Sequence, residues 1–181
     1  MVDVARAARY WGWESVEERS ADGAISSAQR AVFAEPVAPM TEEGARMLSG
    51  MYWREVERTT GGLIRARLSA DDLELRLAGR GPALLRFGPG SVSAAPSAIA
   101  CSHPIVGGLL ARRPCGLIRF EQRAQGDDVL VVSAISGFHP TLAARPGAPA
   151  WTGELYKRVQ SRLHVAVGRR YFARLARGVA A

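Results

Sequence analysis

Lysine is all but missing from this 181-residue chain, in which Lys157 stands beside 23 arginines. An arginine skew with abundant alanine is what GC-rich coding produces, so the number of arginines alone does not argue for a polyanionic partner. Cysteine is scarce too: Cys101 and Cys115 are the only two, which excludes a disulfide scaffold and reads as free, half-buried thiols of a reducing compartment. No run approaches the roughly 20 apolar residues that cross a bilayer. Met1-Val2-Asp3-Val4-Ala5-Arg6 lacks the charged-then-apolar pattern of a secretory signal, and a cytoplasmic location is expected. Also absent are the phosphate-cradling GxxxxGK, the GxSxG elbow, HExxH and GxGxxG; Gly79-Arg80-Gly81 lacks the third glycine and reads as a turn. Neither a cofactor nor a metal is expected.

What is present describes a globular domain. Hydrophobic residues make up 48% and charged residues 23% of the chain, enough apolar matter to oppose disorder, and the length suggests one domain over 1–181. The net charge of +7 is uneven, with about −3 over residues 1–50, +2 over 51–110 and +8 over 111–181, so the positive end is the C-terminal one.

Residues 3–19 read as a helix, with Asp3 as N-cap, Val4, Ala7, Ala8 and Trp11 on one face and Gly12 weakening its middle. Gln29 to Ala34 fits a short strand or the end of a second helix. Pro36 and Pro39 break what precedes. Thr41 followed by Glu42 and Glu43 puts a capping hydroxyl and two anions where the helix dipole favours them, and Ala45, Leu48, Tyr52 and Val56 continue a helix over 41–58. The N-terminal part, 1–60, is thus mainly helical.

From residue 62 the period changes to two. Ile64, Ala66 and Leu68 alternate with Arg65 and Arg67, and Leu73, Leu75 and Leu77 with Glu74 and Arg76. Further strands fit Ala83 to Phe87, Leu117 to Arg123 and the near-continuous apolar run Val129 to Ile135, which suits a central position. Residues 62–138 are an antiparallel meander. Within it, Pro96 and Pro104 sit awkwardly for central strands and Gly107-Gly108 suggests a bulge, a bend or a close approach. After a loop from Pro140, Thr152 caps a last helix over 151–177, with a kink or break near Gly168 where its apolar face rotates.

Chemistry-bearing residues are few. His103 and His139 each precede proline, which biases them toward extended backbone at strand ends; either is a candidate general base, with Glu121, Asp127 or Tyr156 as a partner. Cys101, His103, Cys115 and His139 supply zinc ligand types without the spacing of a zinc module, and read more simply as core thiols and ordinary hydrogen-bonding histidines. Alternating Arg65, Arg67, Arg76, Arg86 and Arg119 form a solvated outer face or, if the sheet curves round a cavity, donor forks for a carboxylate or phosphate; Arg65, Arg67 and Arg119 are the candidate ligand residues of that set. Lys157 to Arg177 carries seven cations and no acid. That stripe fits an anionic membrane surface or nucleic acid, though covering the helix flank accounts for it more simply.

The order of elements over 41–177, with Leu63 to Ile135 as meander and Leu155 to Leu175 as helix, resembles the helix-grip arrangement of START-type and polyketide-cyclase-like domains. The resemblance implies an α+β fold in which a curved antiparallel sheet or incomplete barrel grips the long C-terminal helix, with an opening strand that Gln29 to Ala34 would supply. It implies binding of a small apolar or amphipathic molecule, lipid- or polyketide-like, between sheet and helix, where Leu155, Val159, Leu163 and Val167 would line the helix side. Two other classes stay open: a cyclase, isomerase or hydrolase using a histidine, and an adaptor for nucleic acid or anionic membrane. The oligomeric state is open as well.

Overall fold

The structure is a computed structural model that describes residues 10–69, 72–141 and 150–178. It is an α+β fold: a curved, open, antiparallel sheet with two helices against it. The strands are β1 (Tyr10–Arg19), β2 (Ile25–Phe33), β3 (Ile64–Leu68), β4 (Leu73–Leu77), β5 (Ala83–Phe87), β6 (Ser91–Ala95), β7 (Ala98–Gly107), β8 (Leu117–Gln125) and β9 (Asp128–Phe138). Helix α1 (Glu42–Thr59) follows β2, and α2 (Ala150–Gly178) follows β9. Spatially the strands run β1-β2-β9-β8-β7-β5-β4-β3, with β6 paired to β7 alone. The apolar run after Asp128 is central, as its composition requires.

One N-terminal expectation changes and one open alternative is decided. Residues 10–19 are the edge strand β1 and not a helix; residues 3–9 lie outside the described residues. Tertiary pairing overrides the helical pattern: β1 is laddered to β2 from Glu14↔Arg30 to Arg19↔Ile25, and an Arg30–Glu14 ion pair at 2.6 Å ties the strands. Gly12, with φ of 73°, sits in the register shift between Trp11 and Glu14. The stretch from Gln29 belongs to β2, so the strand alternative holds, and two strands precede α1. Helix α1 starts where its cap predicts, with Thr41 Oγ1 accepting from Gly44 N at 3.2 Å.

The meander is interrupted at β7. Its one edge pairs with β8 from Ala98↔Arg123 to Pro104↔Leu117, while its other edge is shared by β6, up to Ser91↔Ser102, and by β5, from Phe87↔Ile105. Pro104 falls at the change of partner, where a missing N–H costs least, and its carbonyl accepts from Gly88 N at 2.9 Å. Gly107-Gly108 lies at the β5–β7 register shift, and Gly108 is pressed against the backbone of Leu84 and Leu85, which fits the bulge and close approach expected there.

One hydrophobic cluster joins both helices to the sheet. Tyr52 on α1 meets Tyr171 on α2 edge-on at 5.5 Å and Phe120 on β8 at 4.9 Å. Trp53 packs against Phe87 and Phe120 at 5.2 and 5.5 Å. Helix α2 begins at Ala150, so Thr152 lies inside it and does not cap it, and it runs unbroken through Gly168. That glycine answers to packing: a Cβ there would collide with the amide of the fully buried Gln29, whose Nε2 donates to the His164 carbonyl at 3.1 Å.

Candidate functional site

The change of partner along β7 opens a recess beside α1. The connection Gly88-Pro89-Gly90 crosses from β5 to β6 there, opposite His103, and together with Arg46, Ser49, Gly50 and Trp53 of α1 it bounds a hollow of about 350 Å³. Leu73, Val92 and Cys101 add apolar wall, and Leu68, Ser69 and Asp72 form the outer rim. The volume lies within the range of small-molecule sites.

Four polar groups converge inside. Ser49 and Trp53 are one helical turn apart on the buried face of α1, while Cys101 and His103 are two apart on β7 and so share a face. Trp53 Nε1 donates to Ser49 Oγ at 2.9 Å. Ser49 Oγ is 3.0 Å from His103 Nε2, and Cys101 Sγ is 3.4 Å from the same nitrogen. Indole is a donor only, so Ser49 Oγ accepts from it, and Ser49 Oγ and His103 Nε2 share a hydrogen whose direction follows the imidazole tautomer. Burial holds the His103 pKa below the usual imidazole value and pushes the Cys101 thiol up. A hydrogen-bonding triad at the floor can orient the polar end of a ligand whose body lies on Trp53 and Leu73, while the Arg46 guanidinium at the rim is paired with Glu42 at 2.9 Å.

The other candidates are placed elsewhere. His139, buried, is bonded to Arg113 and lies 3.5 Å from Asp22; Asp22 in turn bridges to Arg113 at 3.0 Å. The Asp22 carboxyl is held below its ordinary pKa, first by the Ala24 backbone N–H and then by His139 and Arg113. This cluster ties the 112–113 loop to the β1–β2 turn. Glu121 pairs with Arg119 at 2.9 Å, outside both histidine environments, and Asp127 is exposed in a turn; Tyr156 falls outside the described side chains. The zinc-type set is divided, since Cys115 donates to the Gly137 carbonyl at 3.1 Å, far in register from Cys101. Among the described residues no three His, Cys, Asp or Glu side chains gather as metal ligands.

Arg65, Arg67 and Arg119 are exposed, on the solvated outer face and not in the recess. On α2, Val167 is a core residue and Leu163 is partly buried against the core, while Leu155 and Val159 fall outside the described side chains. No helix among the described residues is long and apolar enough to cross a membrane.

No family model matches the chain, and no curated protein does. Among solved structures it is similar to CalU16 from Micromonospora echinospora, at 14% identity over 96% of this chain and 78% of that one, with a TM-score of 0.38. Ara h 8.0201 matches at 12% identity over 90% and 99% of the two chains, with a TM-score of 0.36. Protein Ms6760 from Mycobacterium smegmatis matches at 11% identity over 91% and 94%, with a TM-score of 0.37.

Sequence reasoning missed Ser49, Trp53 and Arg46. One signal was available: Ser49 is, with Glu55, one of two polar members of the buried face of α1, among Ala45, Leu48, Tyr52, Trp53 and Val56. The contact itself spans 54 residues of chain and leaves no local trace.

Proposed function

We propose that the protein binds a small, mainly apolar molecule with one polar end in the recess between α1 and β7. The observation that carries the reading is the convergence of Ser49, Cys101 and His103 in a hollow whose inner wall includes Trp53, Leu73 and Val92. A few placed polar groups in an apolar pocket are the usual constitution of a ligand site. The resemblance to helix-grip domains agrees with the class of ligand. Titration with the amphipathic dye anilinonaphthalene sulfonate tests the proposal. Saturable dye fluorescence with matching quenching of Trp53, both weakened in His103→Leu, supports it, and an absence of saturable binding overturns it.

The Ser49–His103 contact at 3.0 Å favours a second reading, hydrolysis with His103 as general base and Ser49 as nucleophile. A fluorophosphonate probe that labels Ser49 supports it, and an unlabelled Ser49 in folded protein refutes it.

A further inference from the structure

We propose that the outer face of β3, β4 and β5 docks on an anionic lipid surface. Strand β3 is the edge of the sheet at the end away from β1. The ladder sets Arg65 directly opposite Arg76, Arg67 opposite Glu74, and Glu74 opposite Arg86. Like charges in direct opposition weaken a sheet, and Glu74 is already engaged by Arg76 at 2.6 Å. Among the described residues Arg65, Arg67, Arg80 and Arg86 make no ion pair. Arg67, Arg76 and Arg80 line a shallow groove of about 680 Å³ together with Asp72 and Glu74; Glu74 is taken up by Arg76, and the unpaired Arg65, Arg67, Arg80 and Arg86 around it leave a positive excess on this face.

Apolar side chains stand at both ends of that edge: Leu68 is 77% and Leu63 59% exposed. Cations that hold headgroup phosphates beside leucines that enter the acyl boundary are the chemistry of peripheral membrane binding. The groove offers no aromatic side chain for stacking on bases, which favours lipid over nucleic acid. Leu68, Ser69 and Asp72 belong to the rims of both groove and recess, so docking would set the mouth of the recess on the lipid. That consequence rests on the ligand reading above, whereas the docking itself does not.

Co-sedimentation of the full chain with extruded vesicles tests the docking. Vesicles containing phosphatidylglycerol are expected to pull the protein down, vesicles of phosphatidylcholine alone to leave it in solution, and near-molar salt, with a screening length of about 3 Å, to release it. Arg67→Glu with Arg80→Glu should lower the partition by well over the roughly fivefold per cation expected at an anionic surface. Leu68→Ser should lower it several-fold, and Arg170→Glu with Arg174→Glu on α2 should retain most of it. Equal binding to neutral vesicles, greater sensitivity to the α2 pair, or binding of an RNA oligonucleotide in place of vesicles overturns the proposal. Dye binding measured on the same preparations separates the two readings, since loss of vesicle binding with intact dye binding refutes the docking alone.

Discussion

Ser49 Oγ and His103 Nε2 lie 3.0 Å apart, with the oxygen also accepting from Trp53 Nε1, and partial burial holds the pKa of this imidazole below its usual value. His164, bonded to Ser27 Oγ at 3.2 Å, is likewise shifted by burial below the ordinary imidazole value of 6.5. A histidine with a depressed folded pKa binds fewer protons folded than unfolded between that value and 6.5, so stability falls as pH drops through this window and levels off below it. Denaturant unfolding from about pH 8 to about pH 5 should show that slope, and His103→Gln or His164→Gln should flatten it. A slope unchanged in both variants would contradict the assignment.

Gln122, fully buried on β8, holds the entry to α1: its Oε1 accepts from Val37 N and Ala38 N at 2.9 and 3.0 Å, and its Nε2 donates to the Ala38 carbonyl at 2.8 Å. Gln122→Leu leaves these backbone groups buried and unpaired, a cost of roughly 2–4 kcal/mol in denaturant unfolding. Because α1 carries Ser49 and Trp53, dye affinity should fall in the same variant.

Gly168→Ala is expected to destabilise despite a helix-propensity gain of about 1 kcal/mol, because the new methyl meets the Gln29 amide. Gln29→Ala with Gly168→Ala should lose less than the sum of the single changes, a coupling that a double-mutant cycle measures. Additive losses would remove the packing explanation for this glycine.

Tyr171 is fully buried and its hydroxyl finds no hydrogen-bond partner among the described residues. Tyr171→Phe should therefore be neutral or stabilising by up to about 1 kcal/mol, read as a shift in the unfolding midpoint.

Much of the architecture was legible because it is written locally. Thr41 with Glu42 and Glu43 announces α1, and the alternation from Ile64 to Leu77 announces a hairpin. Strand β1 was not legible, because Glu14, Glu17, Glu18 and Arg19 suit a solvated helix as well as a charged edge strand, and only pairing to β2 decides. Strands β6 and β7 were hidden by Pro96, Pro104 and small residues, since nothing near Pro104 says that its strand changes partner there. The histidine of the site could be nominated and its environment could not. His103 gains its meaning from Ser49 and Trp53, which α1 brings to it from the far side of the core.

The most direct measurement compares the wild-type protein with Gly50→Trp by native mass spectrometry after gentle purification and dye loading. Gly50 borders the recess, and a Cβ there meets only the end of the Arg54 side chain, at 3.7 Å, so the indole can fill the hollow without disturbing α1. The account predicts a bound small molecule or one stoichiometric dye on the wild type and neither on the folded variant. Equal occupancy of the two proteins would contradict a site between α1 and β7.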